Sequence, residues 1–444
     1  MHIQTRKGIV EGNDCGSYYV FKGIPYAKPP IGELRWKAPR EMDEWNGIYE
    51  AKTFGKIPMQ DLPTADLPIT GRFQKEFYSD ERYIPEMNED CLYLNVWMPA
   101  DAKGKKLPVA FWIHGGGFGG GFSSEIEFDG EKYCEKDVIL VTIGYRVNVF
   151  GFLAHPWLDA ENERNISGNY GILDQIAALK WTYENIAQFG GDPTNITVFG
   201  QSAGSMSTQV LVSSELTDDM ISKAIMQSGI SCEKEILATP TLKEEEEIGE
   251  IFVELTGTKT IQELRNLSSE EIMEAKRKLD GKLWALGKGL MVVPNKDGYV
   301  LKETVKETWK NGNMKSIPYM AGVVTDDLGA TEEEIKEKRT GQLMEECKKW
   351  SLKREEIQGE GAYLYFFSHE LPGDDWGAFH TGEVWYTFGT LGRCWRPMTD
   401  ADYQLSEEMV TYWTNFMKTG NPADEGTEEW RTYTESDGFI REFK

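Results

Sequence analysis

The sequence contains no run of about 18 apolar residues, so no membrane-crossing helix is expected. Its opening residues, MHIQTRKGIVEG, carry no apolar h-region, and no signal peptide is expected. The six cysteines (Cys15, Cys91, Cys134, Cys232, Cys347, Cys394) are scattered and none sits at a metal-binding spacing. They read as free thiols of a reduced cytoplasm, with no metal or cofactor implied. In that compartment the Asn-x-Ser/Thr matches at Asn165, Asn195 and Asn266 are chance. Positive charge is scarce, with 48 Lys and Arg against 73 Asp and Glu and a net charge of −25. Such a surface repels phosphate backbones and anionic lipid, which argues against nucleic-acid and membrane partners. No internal repeat or low-complexity linker is found. One domain over residues 1–444 is the simplest reading.

What is present is ample material for a core. Of 444 residues, 40% are hydrophobic and 12% aromatic, including 14 Trp, which excludes a disordered chain. The first hundred residues carry short strand-like pieces broken by Gly and Pro. LPVAFWI (107–113) and DVILVTIGY (137–145) are buried-strand patterns. GILDQIAALKWTYENIAQFGG (171–191) steps its apolar residues Ile172, Ile176, Leu179, Tyr183 and Ile186 along one helix face. NITVFG (195–200), SKAIMQSG (222–229), IPYMAGVV (317–324) and GAYLYFF (361–367) return to strand, and LSEEMVTYWTNFMKTG (405–420) is a final helix. A short charged segment, 331–360, separates two of these strands. Strands alternating with helices predict an α/β class with a mostly parallel sheet covered on both faces. Residues 235–310 read as a charged, helical insertion within that domain, and the four glutamates Glu244–Glu247 as a solvated face.

Two motifs suggest chemistry. Gly200-Gln201-Ser202-Ala203-Gly204 follows a strand and fits G-x-S-x-G, the sharp turn that exposes a nucleophilic serine. By itself it does not separate such an elbow from an ordinary glycine-bounded turn. A serine hydroxyl needs a base, and five histidines are available. WIHGGGFGGGF (112–122) also follows a strand, and six of residues 115–121 are glycine. Unshielded amides there could meet a developing oxyanion. A phosphate-cradling loop is disfavoured, because no Lys-Ser/Thr follows and the downstream context of a dinucleotide site is missing.

With both motifs in an α/β pattern, the chain resembles the type-B carboxylesterase family, the cholinesterase-like branch of the α/β-hydrolases. FKGIPYAKPPIGELRW, EDCLYLNVWMP, GNYGILDQIAALKW and FGGDPTNITVFGQSAGS resemble its signatures, in family order. The resemblance is strong over about 1–230 and 317–422 and weak over 235–310. It implies the α/β-hydrolase fold and a serine carboxylesterase acting on small-molecule esters through an acyl-enzyme. It implies Ser202 as nucleophile. In YMAGVVTDDLGA (319–330) its register places the acid at Asp327, with Asp326 as the alternative. The family acid is usually glutamate, so a shorter aspartate requires the loop or the histidine to sit closer. GAFHTGEVWYTFG (377–389) resembles the histidine loop, a His followed three residues later by an acid, and implies His380 as base. Gly116, Gly117 and Ala203 are implied as oxyanion-hole donors and Ser228 as a supporting residue. Arg35 with Glu89, and Arg146 with Asp174, match structural ion pairs.

The other histidines read as structural: His2 at a frayed terminus, His114 packing or hydrogen bonding in the glycine loop, His155 in a turn, His369 at a strand end. Phe118, Phe122, Phe379 and Trp385 could line an acyl or alcohol pocket, but each reads first as core. Departures bear on substrate. Gln201 stands where vertebrate cholinesterases carry Glu, and residues 55–91 hold no Trp to bind choline. Cys91 has no partner cysteine in that stretch, so the disulfide common in secreted relatives is not expected. The spacing from Asp327 to His380 is short, implying trimmed helices and an open site. The rival readings are an inactive binding module and an amidase or peptidase. A monomer is compatible with the sequence, which leaves the oligomeric state and the ester open.

Overall fold

The apolar runs that read as buried strands pair into one sheet in a computed structural model, which describes residues 1–66, 68–234, 239–287, 292–424 and 427–444. Its ten strands are β1 (Asn13–Asp14), β2 (Tyr18–Pro25), β3 (Tyr93–Pro99), β4 (Leu107–Ile113), β5 (Ile139–Ile143), β6 (Gly191–Gln201), β7 (Lys223–Gln227), β8 (Tyr319–Val324), β9 (Tyr363–Phe367) and β10 (Arg441–Phe443). They lie in the order β1-β2-β3-β5-β4-β6-β7-β8-β9-β10. β1 to β3 and the β3–β5 pair are antiparallel. The remaining pairs are parallel. Parallel strands need helices on both faces, which is why β4, β5, β7 and β8 are buried along their whole length and mostly apolar, with Thr142, Lys223 and Gln227 the polar exceptions.

The register aligns the carboxyl ends of the central strands. Ile113 lies opposite Gly200, Gln201 opposite Gln227, and Gln227 opposite Gly322. The loops leaving β4, β6, β7 and β8 therefore emerge side by side, where open α/β sheets place their ligands.

Several elements differ from expectation for identifiable reasons. His2 is not frayed: His2–Gln4 pairs antiparallel with Ile9–Glu11, and the His2 ring lies 3.4 Å from Glu11. Of the four glutamates, Glu245 is buried, at 2% exposure. Four consecutive residues span all sides of a helix, so one must turn inward. Burial pushes its carboxyl up to about 9, so it is neutral at neutral pH. The charged segment 331–360 contains a helix, Gln342–Gln358, whose buried stripe is Leu343, Met344, Cys347 and Trp350. The final helix starts at Asp400, five residues earlier than its apolar pattern, where Asp402 accepts from Thr399 N and Oγ1 at 2.7 and 2.6 Å. A helix over Pro68–Phe77 interrupts the strand-like amino-terminal region. Residue 67 and residues 235–238, 288–291 and 425–426 lie outside the described residues, and part of the 235–310 insertion falls there.

The helices Leu242–Thr256 and Ser269–Ala285 bury Ile248, Phe252, Ile272 and Leu279 against Trp36, Phe150, Leu153 and Tyr170. Arg35 pins this layer. Its guanidinium donates to Glu89 at 2.6 and 2.5 Å and to the carbonyls of Arg265 and Leu267 at 2.7 Å. Arg146 and Asp174 form a second bidentate pair at 2.7 Å with both side chains buried. Both pairs are thus formed. Arg35→Met would leave Glu89 buried without its partner and two carbonyls without donors. A loss of about 3–5 kcal/mol is expected, read as a lower urea midpoint at unchanged m-value.

Candidate active site

Ser202 ends β6 and opens the helix Ala203–Ser213. Its backbone sits at φ 56° and ψ −124°, a conformation that non-glycine residues rarely hold and that costs about 1–3 kcal/mol. Close packing imposes it. A Cβ on Gly200 would lie 2.4 Å from the Gly204 carbonyl carbon, and one on Gly204 would lie 2.0 Å from Ile113 O. The two glycines of the motif thus let β4, β6 and the helix cross without side chains between them. Ser202 N donates to Gln227 O at 2.9 Å, tying the elbow to β7.

The glycine loop after β4 folds over the serine. A Cβ on Gly115 would meet Ser202 Cβ at 3.3 Å, and Gly116 and Gly117 hold φ of 101° and 61°. Among the described residues no protein acceptor takes the N–H of Gly116, Gly117 or Ala203. Three unspent donors from two segments therefore border the serine, the pattern an oxyanion site needs. His114 does not join them. It is buried and stacked on Tyr145 at 4.3 Å, and burial pushes its imidazole down to about 4, so it stays neutral.

His380 and Asp327 are brought together from segments 53 residues apart, with Nδ1 to Oδ1 at 2.6 Å. Asp327 is buried and its carboxylate is fully engaged. Oδ1 also accepts from Leu328 N at 2.8 Å, while Oδ2 accepts from Ser228 Oγ at 2.6 Å and Val324 N at 3.0 Å. Ser228, buried just after β7 with φ 53°, thus braces this carboxylate. Asp326 contributes its backbone instead: its N–H donates to Ala378 O at 2.9 Å, and a bridge joins it to Phe379. That stitch draws the loop carrying His380 against the loop carrying Asp327.

Two neighbours have roles that their residue types do not reveal. The Gln201 amide nitrogen lies 3.4 Å from His380 Nε2, and its oxygen accepts from Thr381 Oγ1 at 3.3 Å. No hydrogen bond joins Ser202 Oγ to His380 among the described residues, so the ring nitrogen that would take the serine proton faces this amide. Catalytic hydrogen bonds are often loose before substrate arrives. Glu383, the acid three residues after His380, is buried and pushed up to about 7, chiefly by burial and then by the Asp327 charge. The signature spacing noted in the sequence was the signal for it.

The remaining candidates serve the structure. His155 caps the helix Pro156–Asp159 by accepting from Trp157 N at 3.0 Å, and His369 pairs with Asp402 at 2.8 Å. Phe118, Phe122, Phe379 and Trp385 are all buried. Phe379 stacks on Trp376 at 4.0 Å, and Trp385 donates to Glu76 at 3.0 Å. All six cysteines are free thiols, Cys91 among them.

The carboxylesterase family model matches residues 1–360 and 342–443. A para-nitrobenzyl esterase of Bacillus subtilis is 33% identical over 98% of this chain and 92% of its own. A human cocaine esterase is 28% identical over 97% of this chain and 84% of its own. Among solved structures, a PNB esterase superposes with TM-score 0.85 at 28% identity, covering 100% of this chain and 96% of that one. A carboxylesterase of Geobacillus stearothermophilus superposes with TM-score 0.79 at 31% identity, covering 99% and 96%. The central sheet with its flanking helices is thus the α/β-hydrolase fold.

Burial works against a charged His380, but Asp327, and then Glu383 and Asp326, outweigh it and hold the imidazolium above its ordinary 6.5. Glu383→Gln removes one of those carboxylates. Histidine-ring NMR should show His380 titrating above 6.5 in the parent protein and at a lower pH in the variant.

Proposed function

Since the chain belongs to the carboxylesterase family and is a carboxylic ester hydrolase, we propose that Ser202, His380 and Asp327 carry the reaction as nucleophile, base and orienting acid. The 2.6 Å contact of His380 Nδ1 with a fully hydrogen-bonded Asp327 supports this reading above all. It keeps the proton on Nδ1 and leaves Nε2 free to accept.

In this mechanism Ser202 Oγ attacks the ester carbonyl carbon and its proton passes to His380 Nε2. The Gln201 amide gives up its contact with that nitrogen as the serine hydroxyl takes its place. Oxyanion charge falls on the N–H groups of Gly116, Gly117 and Ala203. The carbon–oxygen bond to the alcohol then breaks, and His380 returns its proton to the leaving alkoxide. Water, deprotonated by the same nitrogen, attacks the acyl-enzyme and releases the acid and free Ser202. No step uses a metal or cofactor. Asp327 charge stabilises the imidazolium, and Ser228 fixes that carboxylate.

We read residues 1–444 as one domain in which 235–310 is an insertion, because its helices share a core with Trp36 and Phe150. A cytoplasmic protein is the location that its free thiols favour. Among the described residues no helix is long and apolar enough to cross a membrane.

Ser202→Ala should lower turnover of a p-nitrophenyl ester by roughly 10⁴–10⁶-fold at an unchanged melting temperature. Activity retained in that variant would overturn the assignment of the nucleophile. Asp327→Asn should cost about 10⁴-fold in kcat through loss of the tautomer, while Asp326→Asn should stay within about tenfold of the parent. The reverse order would move the acid to Asp326.

A further inference from the structure

Away from the elbow, the helix Tyr170–Asn185 and the amino-terminal segments enclose a cavity of about 280 Å³. None of the residues proposed for ester hydrolysis lines it, so its chemistry is independent of their assignment. Its floor is apolar, formed by Leu173, Ile176, Ala177 and Trp181 of the helix with Tyr26 and Ala27. Its rim carries four cations, Arg6, Lys7, Arg40 and Lys180, against two carboxylates, Glu41 and Glu184. On a chain of net charge −25, this rim reverses the prevailing sign.

Both carboxylates are already engaged. Lys7 and Lys180 share Glu41 at 3.1 and 3.4 Å, and Arg6 meets Glu184 at 3.0 Å. Arg40 has no ion-pair partner among the described residues, so one planar guanidinium with its full set of donors stays uncommitted at the rim. Trp181 is 5% exposed, and its buried indole N–H has no hydrogen-bond acceptor. The Tyr26 hydroxyl, by contrast, is committed to Gly144 O at 2.7 Å. An apolar floor needs a hydrocarbon, and an uncommitted guanidinium is matched by a carboxylate. The volume lies at the small end of ligand pockets, which suits a short chain or a single ring.

We propose that this cavity is a second ligand site, which binds a small amphipathic monocarboxylate with its hydrocarbon on Leu173, Ile176 and Ala177 and its carboxylate at Arg40. An acid of this kind is also a product of ester hydrolysis, so the site proposed for that reaction would bind it too. The test therefore uses variants confined to the cavity.

Isothermal titration of the full-length protein with sodium octanoate, and with 1-octanol as the uncharged isostere, reads the site. Saturable octanoate binding is expected, with 1-octanol at least about tenfold weaker. Arg40→Glu, which reverses the rim charge, and Ala177→Trp, which fills the floor, should each weaken octanoate about tenfold or more. Arg40→Lys should retain most of the affinity. Melting temperature and p-nitrophenyl acetate turnover should be unchanged in all three, which separates loss of the site from loss of the fold. Equal octanoate affinity in the parent and Arg40→Glu proteins, octanol binding as tight as octanoate, or insensitivity to Ala177→Trp would each overturn the proposal. So would the absence of saturable binding up to about 10 mM.

Discussion

The site depends on one close approach of backbones. β4 and the helix after β6 pass so near each other that the Gly204 Cα must face Ile113 O with nothing between them. That contact forces the chain to turn within a single residue at Ser202, and the turn is what holds φ at 56°. Relaxing it would swing Ser202 away from the glycine loop that now packs against it. The strain is held because β6 is hydrogen-bonded to strands on both sides and buried throughout its second half.

The second constraint is electrostatic and is set by Asp327. A buried carboxylate must be satisfied, and this one takes two backbone N–H groups, a serine hydroxyl and an imidazole. The backbone donors come from Val324 and Leu328, so the loop is wrapped around its own side chain. The Asp326–Phe379 bridge then presses the histidine loop against it. Around this pair the field is strongly negative. Asp327 helps to push Glu383 up to about 7, and the same charges hold His380 above its ordinary value.

The aromatic residues illustrate how burial redirects a plausible chemical reading. Phe379 is covered by Trp376, and Trp385 spends its N–H on Glu76, which is itself bound by Arg396 at 2.9 Å. These contacts fix Phe379, next to His380 in the chain, and the helix that follows it. Gln201 went the other way. In the sequence it mattered as the absence of a glutamate; in three dimensions its amide lies 3.4 Å from His380 Nε2, the nitrogen proposed to receive the serine proton.

The sequence alone determined the strands, because fully buried parallel strands must be continuously apolar and LPVAFWI and IPYMAGVV are. It also marked the turn at Ser202, where G-x-S-x-G after such a strand is a local pattern, although the surrounding signatures and not the motif alone separated an elbow from an ordinary glycine-bounded turn. Gln342–Gln358 was read only as a charged segment, because its charge masked the stripe Leu343, Cys347 and Trp350. Tertiary structure decided what depends on residues far apart in the chain. Which of Asp326 and Asp327, adjacent and chemically identical, meets the His380 ring turned on which side chain faces inward once β8 is paired. The burial of Glu245 turned on what the insertion packs against. Neither is written in a local pattern, because side-chain direction relative to a distant loop is fixed only when the sheet is assembled.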